Sequence, residues 1–243
     1  MPANELPNNL RTMYEQEELL RSKAIVLISD NHDLRLHLEI IESAMNLADI
    51  MRKVPSEDED FKVLRILSIR IFNAFGASMK LALSGYFQNS AMILRDILET
   101  TFLLGMFQKD RCAIKRWREA TSSKERDEFR PVNVRKFLDH HDGFTGGKRR
   151  EIYKLFSELA AHPNMKSVHM LRPKIGGDAV GGPYMEFPTL QAVLSEMARL
   201  AVQIGEIISE FLPRGVRADT ALEADLFARK KVGWINKFYA SDK

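Results

Sequence analysis

Cysteine is almost absent from this 243-residue chain: Cys112 is the single one, so no intrachain disulfide can form. This excludes a disulfide-stapled secreted scaffold and favours a reducing, cytoplasmic compartment. The N-terminus, MPANELPNNLRTMYEQEELL, lacks an apolar signal core. Residues 85–108 are long enough to span a bilayer but carry three central charges, each of which costs about 2.5–3.5 kcal/mol at mid-bilayer. We therefore expect a cytoplasmic protein with no membrane partner.

The main pattern in the sequence is helical periodicity. Apolar residues recur every three or four positions in segments from Leu6–Ile28 to Ala218–Tyr239, which predicts an all-α bundle of seven or eight helices. Asp33 and Thr189 are the expected N-caps of two of them. The charged stretch Thr121–Pro131 has no apolar stripe and is expected to be an exposed connection. No linker divides the chain, so we predict one domain over residues 1–243.

One segment breaks this helical pattern. Residues 164–188 contain four glycines and three prolines, which predicts an irregular insertion in the bundle. Val168–Ile175 and Tyr184–Phe187 have strand-like composition, so a small hairpin over the glycine-rich tip is one arrangement that the pattern allows.

Charge is distributed unevenly along the chain. Residues 1–60 carry 6 Lys/Arg against 13 Asp/Glu, whereas residues 109–150 carry 13 against 7. The basic middle segment could bind phosphate. The alternative is that this segment packs against the acidic N-terminal third or neutralises its charge, and the acids interleaved within the basic segment favour this interpretation.

The most informative part of the sequence is the apolar segment Gly85–Gln108, because it contains Arg95, Asp96 and Glu99. Buried charge is costly unless it is paired and hydrogen-bonded. Arg95 and Glu99 are four residues apart and share a helix face that Gln88 continues. We therefore predict a buried or half-buried Arg95–Glu99 pair, which either fixes helix register or belongs to a functional polar pocket.

A second polar position follows the helix predicted for Lys148–Ala161. His162 stands directly before Pro163, where a histidine can cap the helix C-terminus. Acid–base catalysis or contact with a phosphate is the alternative role. We also predict that His162 lies within reach of Arg95, because polar groups that their own helices cannot satisfy tend to gather in one place.

Three further motifs predict no chemistry. The motif DHHD at Asp139–Asp142 lacks the spacing of metal ligands, because adjacent residues on a helix point in different directions. It is typical of a solvated helix end. The glycine pairs 176–177 and 181–182 are not followed by the residues of a phosphate loop. The basic run Arg229–Lys231 beside Trp234 and Phe238 is typical of a solvated helix face, with contact to nucleic acid or acidic lipid as the alternative. We expect no metal and no cofactor.

Two segments of the sequence resemble motifs of a known protein family. The motifs GYFQNSA (85–91) and LRDILE (94–99), and the later YKLFSELAAHP (153–163), resemble the central helix and the tyrosine–serine–histidine–proline signature of a bacterial all-helical family of unknown function. The resemblance implies an all-helical fold and covers about 35 residues. It adds Tyr153 and Ser157 to the candidate site.

That family is in turn distantly similar to HEPN-type helical bundles, many of which are ribonucleases of toxin–antitoxin and defence systems. Those bundles place an arginine four to six residues before a catalytic histidine on one helix. Here Ser157 or Glu158 stands at that position, and Arg150 is twelve residues before His162. An arginine that joins His162 must therefore come from another helix, and Arg95 is the candidate.

Two functional hypotheses follow. The first is a regulatory or defence-related helical module without catalytic activity, whose polar cluster is structural or binds a ligand. The second is a metal-independent, HEPN-like ribonuclease with His162 and Arg95 as catalytic residues. The expected partner is RNA or a protein, and a homodimer is compatible with both hypotheses. The candidate ligand-binding side chains are Glu99, Asp96, Gln88, Tyr153 and Ser157.

Overall fold

The computed structural model describes residues 6–161, 165–173, 177–213 and 218–240. These residues form an all-α fold, and no strand occurs among them. A π-helical segment, Ser157–Ala161, follows α8, and a 3-10 helix covers Met165–Leu171. The α-helices are α1 (Asn8–Ser29), α2 (His32–Lys53), α3 (Glu59–Leu83), α4 (Phe87–Lys109), α5 (Cys112–Glu119), α6 (Ser123–Asp127), α7 (Pro131–His141), α8 (Lys148–Phe156), α9 (Phe187–Phe211) and α10 (Ala218–Tyr239).

Four long helices, α2, α3, α4 and α9, surround the hydrophobic core. Each has apolar side chains at three- and four-residue spacing, which places them on the face toward its neighbours. Helix α10 packs mainly on α2, whereas α7, α8 and the π-helical segment pack on α4. Helix α4 therefore has the core on one side and α7 and α8 on the other, and its polar residues lie between these layers.

Helices α3 and α4 pack closely through two small residues. Ser78 and Ser90 are fully buried, and their hydroxyl oxygens lie 2.8 Å apart. Each hydroxyl also hydrogen-bonds the other residue's carbonyl oxygen. The turn between the helices contains Gly85 at φ +87°, where a Cβ atom would lie 2.4 Å from the Tyr184 carbonyl oxygen. Only glycine fits this turn without moving the backbone.

Helix α3 has the length and composition of a membrane-spanning helix, and it is the one helix among the described residues that does. Core helices of soluble proteins also have this composition. In its most apolar window, 33% of the residues are buried, so the other residues of this window are partly or fully exposed in the described part of the chain.

The helix boundaries differ from the sequence prediction in three places. The N-caps of α2 and α9 are Asn31 and Glu186, whose side chains accept hydrogen bonds from the backbone N–H groups of Leu34 and Thr189, so Asp33 and Thr189 are not the caps. The expected exposed connection 121–131 contains α6, which a capping box of Ser122 and Glu125 begins. Helix α8 becomes π-helical after Phe156 instead of continuing as one α-helix.

The predicted hairpin in residues 164–188 is wrong for the described part of that insertion. Val168 lies in the 3-10 helix, and a single backbone hydrogen bond, from Val180 N–H to the Leu171 carbonyl oxygen, joins the two arms. The Tyr184 N–H instead binds the Gly85 carbonyl oxygen at 3.2 Å. The second arm is thus held by the α3–α4 turn, which sequence periodicity cannot reveal.

Helix α10 is anchored by aromatic residues. The Trp234 indole N–H donates to Nδ1 of the buried His37 on α2 at 2.9 Å, and the His37 ring stacks on Phe238. Phe227 packs against Gly205 of α9, where a Cβ atom would lie 2.3 Å from the ring. The pKa of His37 is lowered to about 4, mainly by burial; the nearby Asp33 opposes this shift and Arg199 adds to it.

Candidate functional site

The polar residues of α4 meet a tyrosine of α8. The Tyr153 hydroxyl donates to Glu99 Oε1 at 2.9 Å and accepts a hydrogen bond from Arg95 Nη2. Arg95 Nη2 also lies 3.1 Å from Glu99 Oε1, and the two side chains are 24% and 30% exposed. The predicted half-buried Arg95–Glu99 pair is therefore confirmed, with Tyr153 joining it from a second helix.

A second arginine reaches the same ring from α7. Arg135 Cζ lies 3.9 Å from the centre of the Tyr153 ring, and Arg95 Cζ lies 4.8 Å from it. Both guanidinium groups can therefore make cation–π contacts with one tyrosine. We call Arg95, Glu99, Arg135 and Tyr153 the arginine cluster. It contains two cations and one carboxylate.

The arginine cluster is only partly satisfied. Arg135 is 9% exposed, yet its Nη1 atom is buried without a hydrogen-bond partner. Arg95 Nε is also buried without a hydrogen-bond partner. Buried polar atoms are nearly always hydrogen-bonded, so two unpaired donors beside one tyrosine require an explanation. Guanidinium groups with free N–H donors bind carboxylate and phosphate oxygens well.

The other predicted site residues on described segments do not join this cluster. Asp96 pairs with Arg70 of α3 on an exposed edge. Gln88 is half-buried two turns before Arg95, and no described residue hydrogen-bonds to its side chain. The buried Ser157 hydroxyl donates to the Tyr153 carbonyl oxygen at 2.8 Å. Ser157 thus supports the backbone where α8 becomes π-helical.

His162 lies outside the described residues, so its predicted proximity to Arg95 stays a prediction. The segment that leads to it is unusual, because π-helices are rare and frequently occur at functional sites. Glu158 in this segment binds Lys166 at 2.8 Å. This hydrogen bond is the main cause of a lowered Glu158 pKa.

The remaining charged motifs have structural partners. Arg149 donates to Asp139 at 2.7 Å and also to Asp142, which joins α7 to α8. Trp234 is 4% exposed against His37, so it is not available to stack on a nucleic-acid base. The alternative nucleic-acid role for the run 229–231 therefore loses one of its two aromatic residues, and the other, Phe238, is half-buried.

A separate cavity of about 830 Å³ lies between α4, α8, α9 and α10. Its lining combines apolar side chains with charged ones, among them Lys109, Arg199 and Glu206, and none of the arginine-cluster residues lines it. Burial raises the pKa of Glu196, one of its lining carboxyls. Its lining includes Leu98, Phe102, Leu155, Leu200 and Trp234.

No protein-family model, curated protein or solved structure matches this chain. The site must therefore be read from its own chemistry. Sequence reasoning missed Arg135, because it lies 36 residues or more from Arg95 and Glu99 in a short helix with no other signal. Its position between the buried residues Val134 and Leu138 of α7 was the available indication that this arginine faces inward.

Proposed function

We propose that this chain is a regulatory or defence-related helical binding module, and that its arginine cluster holds an anionic ligand. The observation that carries the proposal is the pair of buried, unpartnered donors, Arg95 Nε and Arg135 Nη1. In a cluster that served only stability, every buried donor would have a hydrogen-bond acceptor, because a buried polar network with unpaired groups costs folding free energy. A cluster that awaits a ligand keeps unused donors at a cost in stability.

The chemistry of the cluster favours an oxyanion. The cluster holds two guanidinium groups and one carboxylate, Glu99, which pairs with Arg95, so its net charge is +1. A phosphate or carboxylate group would supply the missing acceptors and balance that charge. Arg95 and Glu99 are partly exposed, which gives a ligand a side from which to approach.

The first experiment replaces two arginines with methionine, the buried Arg135 and the half-buried Arg149. Arg135→Met keeps the apolar stem and removes an unpartnered donor, so we expect stability to stay unchanged or to rise by about 1 kcal/mol. Arg149 is a matched control, at 18% side-chain exposure with two carboxylate partners. Arg149→Met strands Asp139 and leaves Asp142 with the more distant Lys109 and His141, so it should cost about 2–3 kcal/mol. Urea unfolding measures both changes.

The same variants test for the ligand. Sodium phosphate should raise the melting temperature of the wild type above that in sodium chloride of equal ionic strength, because a ligand of the folded state stabilises it. Arg135→Met should abolish the difference. An Arg135→Met variant as destabilised as Arg149→Met would show that the cluster is structural. Phosphate stabilisation that persists in Arg135→Met would place the anion elsewhere.

The second candidate function is a metal-independent, HEPN-like ribonuclease that uses His162 and Arg95. The π-helical segment Ser157–Ala161, which directly precedes His162 in sequence and follows the helix of Tyr153, favours it. In this reaction His162 would act as general base on the 2′-hydroxyl or as general acid on the leaving oxygen, and Arg95 would stabilise the negative charge on the phosphorane oxygens.

His162→Ala tests this candidate. If the chain is a ribonuclease, the variant should lose RNA cleavage, or growth inhibition on overexpression, while its melting temperature stays close to that of the wild type. His140→Ala is the control, because His140 belongs to the solvated end of α7. Equal cleavage by both variants would remove His162 from the chemistry, and a wild type that cleaves no RNA would leave the binding module as the function.

A further inference from the structure

A third arginine beside α4 has a buried donor without a partner. Arg172 directly follows the 3-10 helix, and its Nε atom is buried without a hydrogen bond, as are Arg95 Nε and Arg135 Nη1. Among the described side chains, these three are the buried nitrogen atoms that lack a partner. Arg172 also forms no ion pair with any described residue. The unused donors of the chain are therefore all arginine donors, and two of them belong to the arginine cluster.

One continuous layer carries these arginines along α4. Helices α7 and α8, the π-helical segment and the 3-10 helix each pack on α4. Each of these elements also packs on the next one in the chain. Arg135 of α7 and Arg95 of α4 share one tyrosine ring of α8, which places the arginine cluster at the middle of α4.

The 3-10 helix ends near the beginning of α4. The Met170 carbonyl oxygen accepts a hydrogen bond from the Tyr184 hydroxyl at 2.9 Å, and the Tyr184 ring lies edge-on to the Phe87 ring, with 5.3 Å between their centres. Arg172 is two residues after Met170. Phe87 is eight residues before Arg95, or about 12 Å along the helix axis. Arg172 therefore lies toward the N-terminal end of α4 from the arginine cluster.

We call Arg135, Arg95 and Arg172 the arginine row. The surface of α4 between its two ends is open to solvent. Gln88, Met92 and Arg95 follow one another at four- and three-residue spacing on one face of the helix. Met92 is 43% exposed, and the half-buried Gln88 side chain has no hydrogen bond to a described residue. A ligand that reaches Arg95 can thus extend over this surface toward Arg172.

The acidic residues beside the row are already paired with cations. Those of α4 and of the π-helical segment pair as Glu99 with Arg95, Asp96 with Arg70, and Glu158 with Lys154 and Lys166. Arg135 and Arg172 have no carboxylate partner in the described part of the chain. The row therefore keeps two positive charges that an anionic ligand can neutralise.

We propose that Arg172 is a second anion subsite and that the arginine row binds a linear chain of linked phosphates. This inference rests on the anion site proposed above and specifies its ligand. A single phosphate in the arginine cluster leaves the Arg172 donor unpaired, whereas a phosphate chain brings acceptor oxygens to both places. Because the second contact is then intramolecular, the chain binds more tightly than its separate units.

The chemistry of the row favours linked phosphates over a nucleic-acid strand. Proteins that bind single strands combine a basic groove with aromatic rings on which the bases stack. The Tyr153 ring already contacts two guanidinium groups, and its hydroxyl binds Glu99. Phe87 is 1% exposed. The described residues of the row thus offer N–H donors to phosphate oxygens but no free ring to a base.

Calorimetric titration of the full chain tests the proposal with phosphate, tripolyphosphate and long-chain polyphosphate at constant ionic strength. At equal phosphate concentration, we expect the wild type to bind the long chain at least about tenfold more tightly than phosphate. Arg172→Met should keep the phosphate affinity and lose most of this gain. The variant keeps the apolar stem and removes an unpartnered donor, so its melting temperature should equal that of the wild type.

Arg65→Met is the matched control. Arg65 is a half-buried arginine of α3 that has no hydrogen bond or ion pair with a described residue. Its replacement removes the same charge from a position outside the row. Since the loss of any cation weakens the attraction of a polyanion, this variant measures that general effect. It should keep the gain that Arg172→Met loses.

Three results would overturn the proposal. The first is a wild type that binds long-chain polyphosphate no more tightly than phosphate. The second is a gain that persists in Arg172→Met, or that Arg65→Met reduces equally. The third is a single-stranded oligonucleotide that binds more tightly than polyphosphate of equal charge. Each of these leaves the single anion site in place, whereas that site itself fails if phosphate does not bind the wild type or binds Arg135→Met equally well.

Discussion

Replacing Gly205 with alanine should destabilise the protein by about 2–3 kcal/mol, although glycine-to-alanine changes in helices usually stabilise. The new methyl group would lie 2.3 Å from two ring atoms of Phe227. Phe227 is 2% exposed, so its ring can move away only by displacing α10 from α9. Overpacking of this kind forces backbone shifts because protein interiors contain little free space.

Gly233→Ala provides the comparison. This glycine also lies inside a helix, α10, but an added Cβ atom would meet nothing within 4 Å. We expect a gain of about 0.5–1 kcal/mol from the reduced backbone entropy of the unfolded chain. Urea unfolding should thus give opposite signs for the two variants. Equal gains for both would show that α10 does not hold Phe227 against α9.

Acidification should weaken the attachment of α10 through His37. Burial lowers the folded-state pKa of His37 from 6.5 to about 4, so the unfolded chain binds the proton more strongly. The contribution of this pKa shift to the free energy of unfolding is fully present above pH 6.5 and is lost as the pH falls toward 4. Because one pKa unit corresponds to about 1.4 kcal/mol, the loss over this range is about 3 kcal/mol.

Protonation also changes the contacts around the ring. Nδ1 can no longer accept the Trp234 indole hydrogen bond, and the new charge lies near Asp33 and Arg199. Lys237 of α10 binds Asp33 at 3.3 Å, so the carboxylate that would favour the charged ring is already paired. The expected result is a loosening of the C-terminal half of α10.

The variant His37→Asn isolates this effect from the other titrating groups. The Asn carboxamide oxygen can accept the indole hydrogen bond and does not titrate. Between pH 7 and 4.5, the wild type should lose more unfolding free energy than the variant, with Trp234 fluorescence as the readout. Parallel pH profiles for the two proteins would assign the acid sensitivity to carboxylates elsewhere.

Helical periodicity predicted the fold well, because it is a local property. Arg95 and Glu99 were paired correctly since residues four apart on one helix must lie together. The partner of Asp96 could not be predicted in this way, because it depends on where α3 lies, and the Arg70 side chain that binds it is 26 residues away. A sequence pattern shows the face on which a residue lies, but the neighbouring helix determines its partner.

The same reasoning explains what was missed. Arg135 reaches Tyr153 from a helix that shares no motif with α4, so its inclusion depends on the packing of α7 against α8 and α4. The change from α- to π-helix at Ser157 involves one extra residue per turn, which apolar spacing over so short a segment cannot show. The predicted hairpin does not form because the Tyr184 N–H donates its hydrogen bond to the carbonyl oxygen of Gly85, in a turn far away in sequence.

The position of α2 has a consequence for synthesis of the chain on the ribosome. Its main helical partners include α9 and α10. His37 of α2 is synthesised 197 residues before Trp234, the residue that hydrogen-bonds to it. At about 5–20 residues per second, the apolar face of α2 stays without these partners for roughly 10–40 s. During that interval it depends on α3 and on chaperones for cover. Translation speed beyond residue 53 should therefore affect the yield of folded protein more than the intrinsic helix propensity of α2 does.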